Sequence, residues 1–131
     1  MTKKELSQIY YLLGEVKMWQ RELAKMQCES AIKPQQITDM PRGSGTSDPT
    51  ARTVTSIIHI EQIIEGKLAE IQIQRERIIK YIDGIEDSFM RQIMFYRHVS
   101  CMKWDEVAAH IGGDNTKETT RKAHDRFLES N

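Results

Sequence analysis

Five isoleucines at unbroken seven-residue spacing, Ile57, Ile64, Ile71, Ile78 and Ile85, constrain this chain more than any other feature. Such a period belongs to an α-helix that lays one narrow apolar stripe along a partner helix. It predicts a helix over 51–83, with Asp48 as its N-cap and Pro49 in its first position. At 1.5 Å per residue that helix runs roughly 50 Å. Leu68 and Ile82 supply part of a second row, which Glu61 and Arg75 interrupt as register-setting polar positions do.

An earlier segment, 3–30, carries the same texture. Leu6, Leu13 and Gln20 form one row and Ile9, Val16 and Leu23 the other, with Tyr10, Trp19 and Met26 widening the stripe. Gly14 is its weak point, costing about 1 kcal/mol relative to alanine in a helix interior. Between the two, residues 33–50 hold Pro34, Pro41, Gly43, Gly45 and Pro49 in a polar stretch that reads as a loop. It reads first as a flexible hairpin tip, and in a sharper reading as a loop that docks on a partner through Met40, Pro41 and Arg42. Neither long helix can hide its stripe alone. Folding back as an antiparallel pair is the simplest solution, and pairing between chains satisfies the same pattern.

Asp83-Gly84 breaks the second helix, and short helices follow at about 86–99, 103–111 and 116–129. The fold class predicted is therefore all-α. A long antiparallel two-helix hairpin (a coiled coil over 1–83, with its loop at 33–50) precedes a three-helix helix-turn-helix module over 84–131.

The last two short helices carry the functional pattern. Trp104, Val107, Ala108 and Ile111 fall at i, i+3, i+4, i+7, which makes one side of the first helix apolar. Ala108 is small where two helices cross closely, and Gly112 can take the positive φ of a tight turn. On the second helix Thr120, Ala123, Phe127 and Leu128 point inward, and His124 lies towards that side as a packed histidine bonded to a neighbouring helix. The outer face carries Lys117, Glu118, Thr119, Arg121, Lys122 and Arg126. Lys117, Glu118, Thr119 and Lys122, nearest the start of the helix, are the candidates for DNA base edges, and Arg121 and Arg126 for phosphates. Asp125 and Glu129 are placed on the solvent side or in pairs such as Arg121–Asp125.

Charge does not advertise nucleic acid by itself. The chain holds 19 basic and 19 acidic residues, and residues 84–131 hold seven against eight. Any DNA contact must come from a local face, with modest non-specific affinity.

The run from Ile85 to Phe127 resembles region 4 of bacterial sigma factors. The counterparts are Tyr96-Arg97, then Trp104-Asp105-Glu106-Val107-Ala108-Ala109-His110-Ile111-Gly112, then Thr120 to Leu128. Thr120 stands where that family has an aliphatic residue, and Phe127 where it has alanine. With Met40-Pro41-Arg42-Gly43 ahead of the long helix, the whole chain is similar to phage and prophage late transcriptional regulators of the RinA/ArpU type. That resemblance implies transcriptional control of phage genes, with double-stranded DNA as partner. Through the long helices two copies would join as a homodimer, or one module would be presented to RNA polymerase.

Other chemistry is not expected. His98, Cys101 and His110 match no standard zinc spacing and read as a core-facing cysteine and two helix-surface histidines. Glu86-Asp87 and Asp105-Glu106 sit in first turns, where they complement the helix dipole. Phe95 and Tyr96 read as packing against Trp104 and Phe127. No phosphate loop or nucleophile elbow appears, so neither an enzyme nor a cofactor is expected. Cys28 and Cys101 form no disulfide framework, and no run approaches a membrane span or a signal peptide, which fits the cytoplasm of a bacterial host cell. Two other classes remain open: a small-terminase-like assembly adaptor, which would form a ring, and a module that binds only protein.

Overall fold

A computed structural model describes residues 1–32 and 49–130. The loop over 33–50, with Met40-Pro41-Arg42-Gly43 and the Asp48 cap, lies outside the described residues except for Pro49 and Thr50. The described residues form helices joined by short turns, with no strand among them, in the order α1 (Lys3–Leu6), α2 (Gln8–Ile32), α3 (Pro49–Asp83), α4 (Ser88–Met94), a π-helical turn (Phe95–Val99), α5 (Trp104–Ile111) and α6 (Lys117–Ser130). Among them no helix is long and apolar enough to cross a membrane. Two compact units result, Met1–Leu13 with Glu70–Asn131, and Gly14–Ala69.

In both units α2 and α3 pair side by side in opposite directions. Within Gly14–Ala69, Val16, Ile60 and Ile64 are buried and Glu15 meets Lys67 at 3.5 Å. The seven-residue row Ile57, Ile64, Ile71, Ile78, Ile85 faces inward as predicted, most tightly at Ile78, which is fully buried. The companion rows differ from expectation. On α2 the inward partners of Ile9, Val16 and Leu23 are Leu12, Trp19 and Met26, while Leu13 and Gln20 are exposed. Choosing the row through Leu12 keeps Gln20 in water, so burial of a polar amide is avoided. On α3 the companion row is Ile60, Lys67, Gln74 and Tyr81; of the predicted row Ile82 is buried, while Glu61, Leu68 and Arg75 are exposed. The register-setting polar positions are therefore Lys67 and Gln74. Lys67 keeps its charge compensated by Glu15, and the Gln74 Oε1 atom is buried without a hydrogen-bond partner.

The unit formed by Met1–Leu13 and Glu70–Asn131 holds one core. Leu6, Ile9, Ile78, Ile82, Ile85, Met90, Ile93, Met94 and Val99 are buried together, with Trp104, Ile111, Ala123, Phe127 and Leu128 packed against them. Burying each of these large side chains contributes about 1.5–3 kcal/mol, so the first residues of the chain help to hold the last helices. Thr2 starts α1 with a capping box: its hydroxyl accepts from the Glu5 amide at 3.2 Å, and the Glu5 carboxylate accepts from the Thr2 amide at 2.7 Å. Ser7 interrupts the predicted continuous helix, donating its hydroxyl to the Lys3 carbonyl at 2.8 Å.

Asp87 is the N-cap of α4 rather than a first-turn residue; its carboxylate accepts from the Phe89 amide at 3.2 Å. Arg91 reaches back to the carbonyls of Ile85 and Glu86, closing the corner after α3. The π turn that follows explains the burial pattern. Ile93 and Met94 are buried, and five residues on, so are His98 and Val99. That spacing fits a π turn, whose bond runs from the Ser100 amide to the Phe95 carbonyl at 3.0 Å. Phe95 consequently turns outward, and Tyr96 packs on His110 with ring centroids 5.2 Å apart. Cys101 then takes a left-handed conformation at φ 55° as the chain turns into α5.

Candidate nucleic-acid interface

The helix-turn-helix is built from α5, the turn Gly112–Thr116 and α6. On α5, Val107 and Ala108 are buried, and Trp104 and Ile111 are half-buried on the same side. Gly112 ends the helix at φ 77°, ψ −162°, a region essentially closed to residues with a side chain. Its amide donates to the Ala108 carbonyl at 3.0 Å, and its own carbonyl accepts from Asn115 Nδ2 at 2.9 Å. Gly113 follows with φ 66°. Open space surrounds the place where a Gly112 side chain would stand, so the cost of substitution is backbone strain alone. Gly112→Ala is expected to lower unfolding stability by about 1–2 kcal/mol, which denaturant titration would measure.

Thr116 starts α6. Its hydroxyl accepts from the Thr119 amide at 3.2 Å, while Thr119 Oγ1 accepts from the Thr116 amide at 2.8 Å. This is a capping box with threonine in place of the usual glutamate or glutamine. The inward face follows prediction: Thr120 and His124 are buried, and Ala123, Phe127 and Leu128 are partly so. The Thr120 hydroxyl is satisfied inside its own helix, donating to the Thr116 and Lys117 carbonyls at 3.0 and 3.1 Å. A threonine is thereby tolerated in an apolar seam.

All six candidate contact residues lie on this one helix, away from its buried side. Lys117, Glu118, Thr119, Lys122 and Arg126 are exposed and Arg121 is partly so. They divide into two rows. Glu118, Arg121 and Asp125 form one, with Arg121 bonded to Glu118 at 2.8 Å and 4.0 Å from Asp125. The hydrogen bond and charge of Arg121 hold the Glu118 carboxyl below its usual value, and Glu118 raises Arg121 in return. Thr119, Lys122 and Arg126 form the other, at i, i+3, i+7. Among the described residues neither Lys122 nor Arg126 has a carboxylate within ion-pair distance. Arg126 Nε lies 3.4 Å from the Lys122 carbonyl.

Behind α6 lies a polar chain that the residue pattern foreshadowed only in part. His98 is buried, not a surface histidine, and its Nε2 is 2.8 Å from the Nε2 of buried His124. His124 Nδ1 meets the Asp125 carboxylate at 3.0 Å, and Lys3 Nζ is 3.8 Å from the same oxygen. A carboxylate only accepts, so His124 Nδ1 carries a proton and its Nε2, in the neutral ring, faces His98 as an acceptor. Burial, with the charges of His124, Arg97 and Lys3, pushes His98 down to about 3. His124 is lowered by burial too, against the pull of Asp125. Partial burial works to raise the Asp125 carboxyl, but its bond to His124 and the charges of Lys3, His124 and Arg121 hold it below the usual aspartate value. Arg97 closes the arrangement, donating to the Met102 carbonyl at 2.9 Å and lying 4.7 Å over the Trp104 ring. Trp104 in turn stands edge-on to His124 at 4.9 Å.

The half-buried Cys101 thiol is raised by burial, and His110 is exposed with its Nδ1 on the Glu106 carbonyl. Among the described residues no group of three histidine, cysteine or carboxylate side chains could hold a metal ion. Comparison with family models, curated proteins and solved structures finds no match to this chain.

Proposed function

We propose that this chain is a DNA-binding transcriptional regulator of the phage type, similar to sigma factor region 4. In this reading α6 enters the major groove of promoter DNA, and the long helices join two copies or present the module to RNA polymerase. The single observation that carries the reading is the Thr119–Lys122–Arg126 row, whose two cations have no carboxylate within ion-pair distance among the described residues, on a helix fixed by a tight glycine turn. A recognition helix needs both a supported inner face and an outer face with donors free for phosphates or guanine edges. Lys122 and Arg126 take the phosphate and guanine contacts, with Lys117 beside them at the helix start. Glu118, by holding Arg121, confines the cationic surface to one side of the helix.

The test is binding of the purified protein to the DNA upstream of its own gene at two salt concentrations, beside a Lys122→Ala/Arg126→Ala variant. Loss of these two contacts is expected to weaken binding at least about tenfold and to lower the slope of log affinity against log salt by about 1 for each that lies on a phosphate. Absence of wild-type binding even at low salt would exclude direct DNA recognition. The second reading, a module that binds only protein, is favoured by the acidic row beside the cations, since Glu118 and Asp125 compensate Arg121. It predicts that absence of binding.

A further inference from the structure

We infer that the exposed flank of the unit Gly14–Ala69 is the docking surface for a second copy of this chain, paired about a twofold axis parallel to its helices. The inference begins with two unfavourable local arrangements. Lys17 and Arg21 are like charges at i, i+4 on α2, and both are exposed. Every residue three or four positions from either of them (Leu13, Gly14, Met18, Gln20, Ala24 and Lys25 besides the pair itself) is without negative charge. Glu61 and Glu65 repeat the situation on α3 with the opposite sign, their neighbours at that spacing being isoleucine, glutamine, leucine and alanine. Like charges at i, i+4 destabilise a helix by a few tenths of a kcal/mol. Among the described residues no ion pair within the chain relieves either couple.

Register then relates the two couples. The Glu15–Lys67 pair fixes which levels of α2 and α3 lie side by side in this unit. Moving two residues along α2 and two back along α3 brings Lys17 level with Glu65, and four more bring Arg21 level with Glu61. In the same register Ala24 is level with Ile58 and Gly14 with Leu68. Rotation about an axis parallel to the helices leaves every level unchanged. The α3 helix of a second copy, set beside α2, therefore presents Glu65 to Lys17 and Glu61 to Arg21, and the symmetry repeats both pairs on the other side.

Apolar surface completes the face. Val54, Ile58 and Leu68 are 46%, 49% and 49% exposed, on the same α3 flank as Glu61 and Glu65 at alternating four- and three-residue steps. That is a second heptad-type row, one the hairpin itself leaves uncovered. Gly14 has open space where a side chain would stand, at the level where Leu68 of the second copy arrives. A second copy is preferred to a foreign helix because both charge couples find their complements at one shared register. Pairing α3 on α3 in opposite directions would instead set Glu61 against Glu65.

This deepens the pairing element of the proposed function but does not depend on DNA binding. Its test contains no DNA, so failure of either leaves the other standing. The mass of the full chain would be measured by light scattering and sedimentation equilibrium across a concentration series. Wild type is expected to reach twice 15.3 kDa. The Lys17→Glu/Arg21→Glu and Glu61→Lys/Glu65→Lys variants, with helix content checked by circular dichroism, are each expected to self-associate at least about tenfold more weakly. Mixing the two variants is expected to restore a dimer, since every swapped couple then meets its opposite. A monomeric wild type, a ring or other larger assembly, or a mixture of folded variants that stays monomeric would overturn the inference.

Discussion

Leu6→Ala is expected to destabilise the helix-turn-helix, although the two are at opposite ends of the sequence. Leu6 is fully buried and belongs to the same core as Ile78, Ile82, Ile93 and Met94, against which Trp104, Ala123 and Phe127 pack. Truncating a buried leucine to alanine removes its transfer free energy and leaves a cavity, at a cost of about 2–5 kcal/mol. The upper part of that range applies where neighbours cannot collapse into the gap. Leu6 sits at the end of α1, tied to its helix by the Leu6 amide bond to the Thr2 carbonyl at 3.0 Å, so the site has little freedom to close. Denaturant unfolding followed by tryptophan fluorescence would report it, since Trp104 lies in this unit. A loss below about 1 kcal/mol would mean that the first residues are not part of this core.

A fall in stability between pH 7 and pH 5 is the second large effect. His98 is held neutral by burial, with the charges of His124, Arg97 and Lys3 adding to it, and its folded value is about 3. In the unfolded chain an imidazole takes up a proton near pH 6.5. A folded value below the unfolded one means that its stabilisation is complete above pH 6.5 and is lost progressively as pH falls towards 3. For His98 the loss by pH 5 is about 2 kcal/mol, and the lowered His124 acts in the same direction. The groups facing the pair are Asp125, Lys3, Arg97 and the Trp104 ring. Asp125, lowered from the ordinary aspartate value, keeps its charge through this window, so the change reports the imidazoles. Unfolding titrations at pH 7 and pH 5 would measure it, and equal stabilities would contradict the buried pair.

Much of this architecture was legible because the period is strict. The isoleucine row gave the inward face of α3 directly, and Gly112 announced its own positive φ. The companion rows were read only in part, Leu6 and Ile82 being buried as expected but Leu13 and Leu68 not, and for one physical reason. A heptad pattern with apolar residues on two adjoining flanks allows two choices of second row, and only the presence of the partner helix decides between them. Leu13 and Leu68 were expected in the inward rows and are exposed, while Lys67 and Gln74, in no predicted row, face inward.

In the candidate site, the inner and outer faces of α6 followed from its 3.6-residue period, including the packed His124. The π turn hid His98, because one extra residue per turn moves the buried positions five apart and a regular helix reading places it elsewhere. The Thr116–Thr119 capping box had a visible signal, a threonine three residues before another at a helix start, but it departs from the usual partner. The division of α6 into a row with ion pairs and a row without them depends on rotamers, which spacing alone does not set.

The most direct measurement of the central claim is an amide NMR titration of the labelled full chain with duplex DNA from the region upstream of its gene. Contact through α6 predicts salt-sensitive shifts concentrated at Thr116–Arg126, including the amides of Thr119, Lys122 and Arg126. Saturating shifts centred on any other helix, or no shifts at low salt, would contradict it.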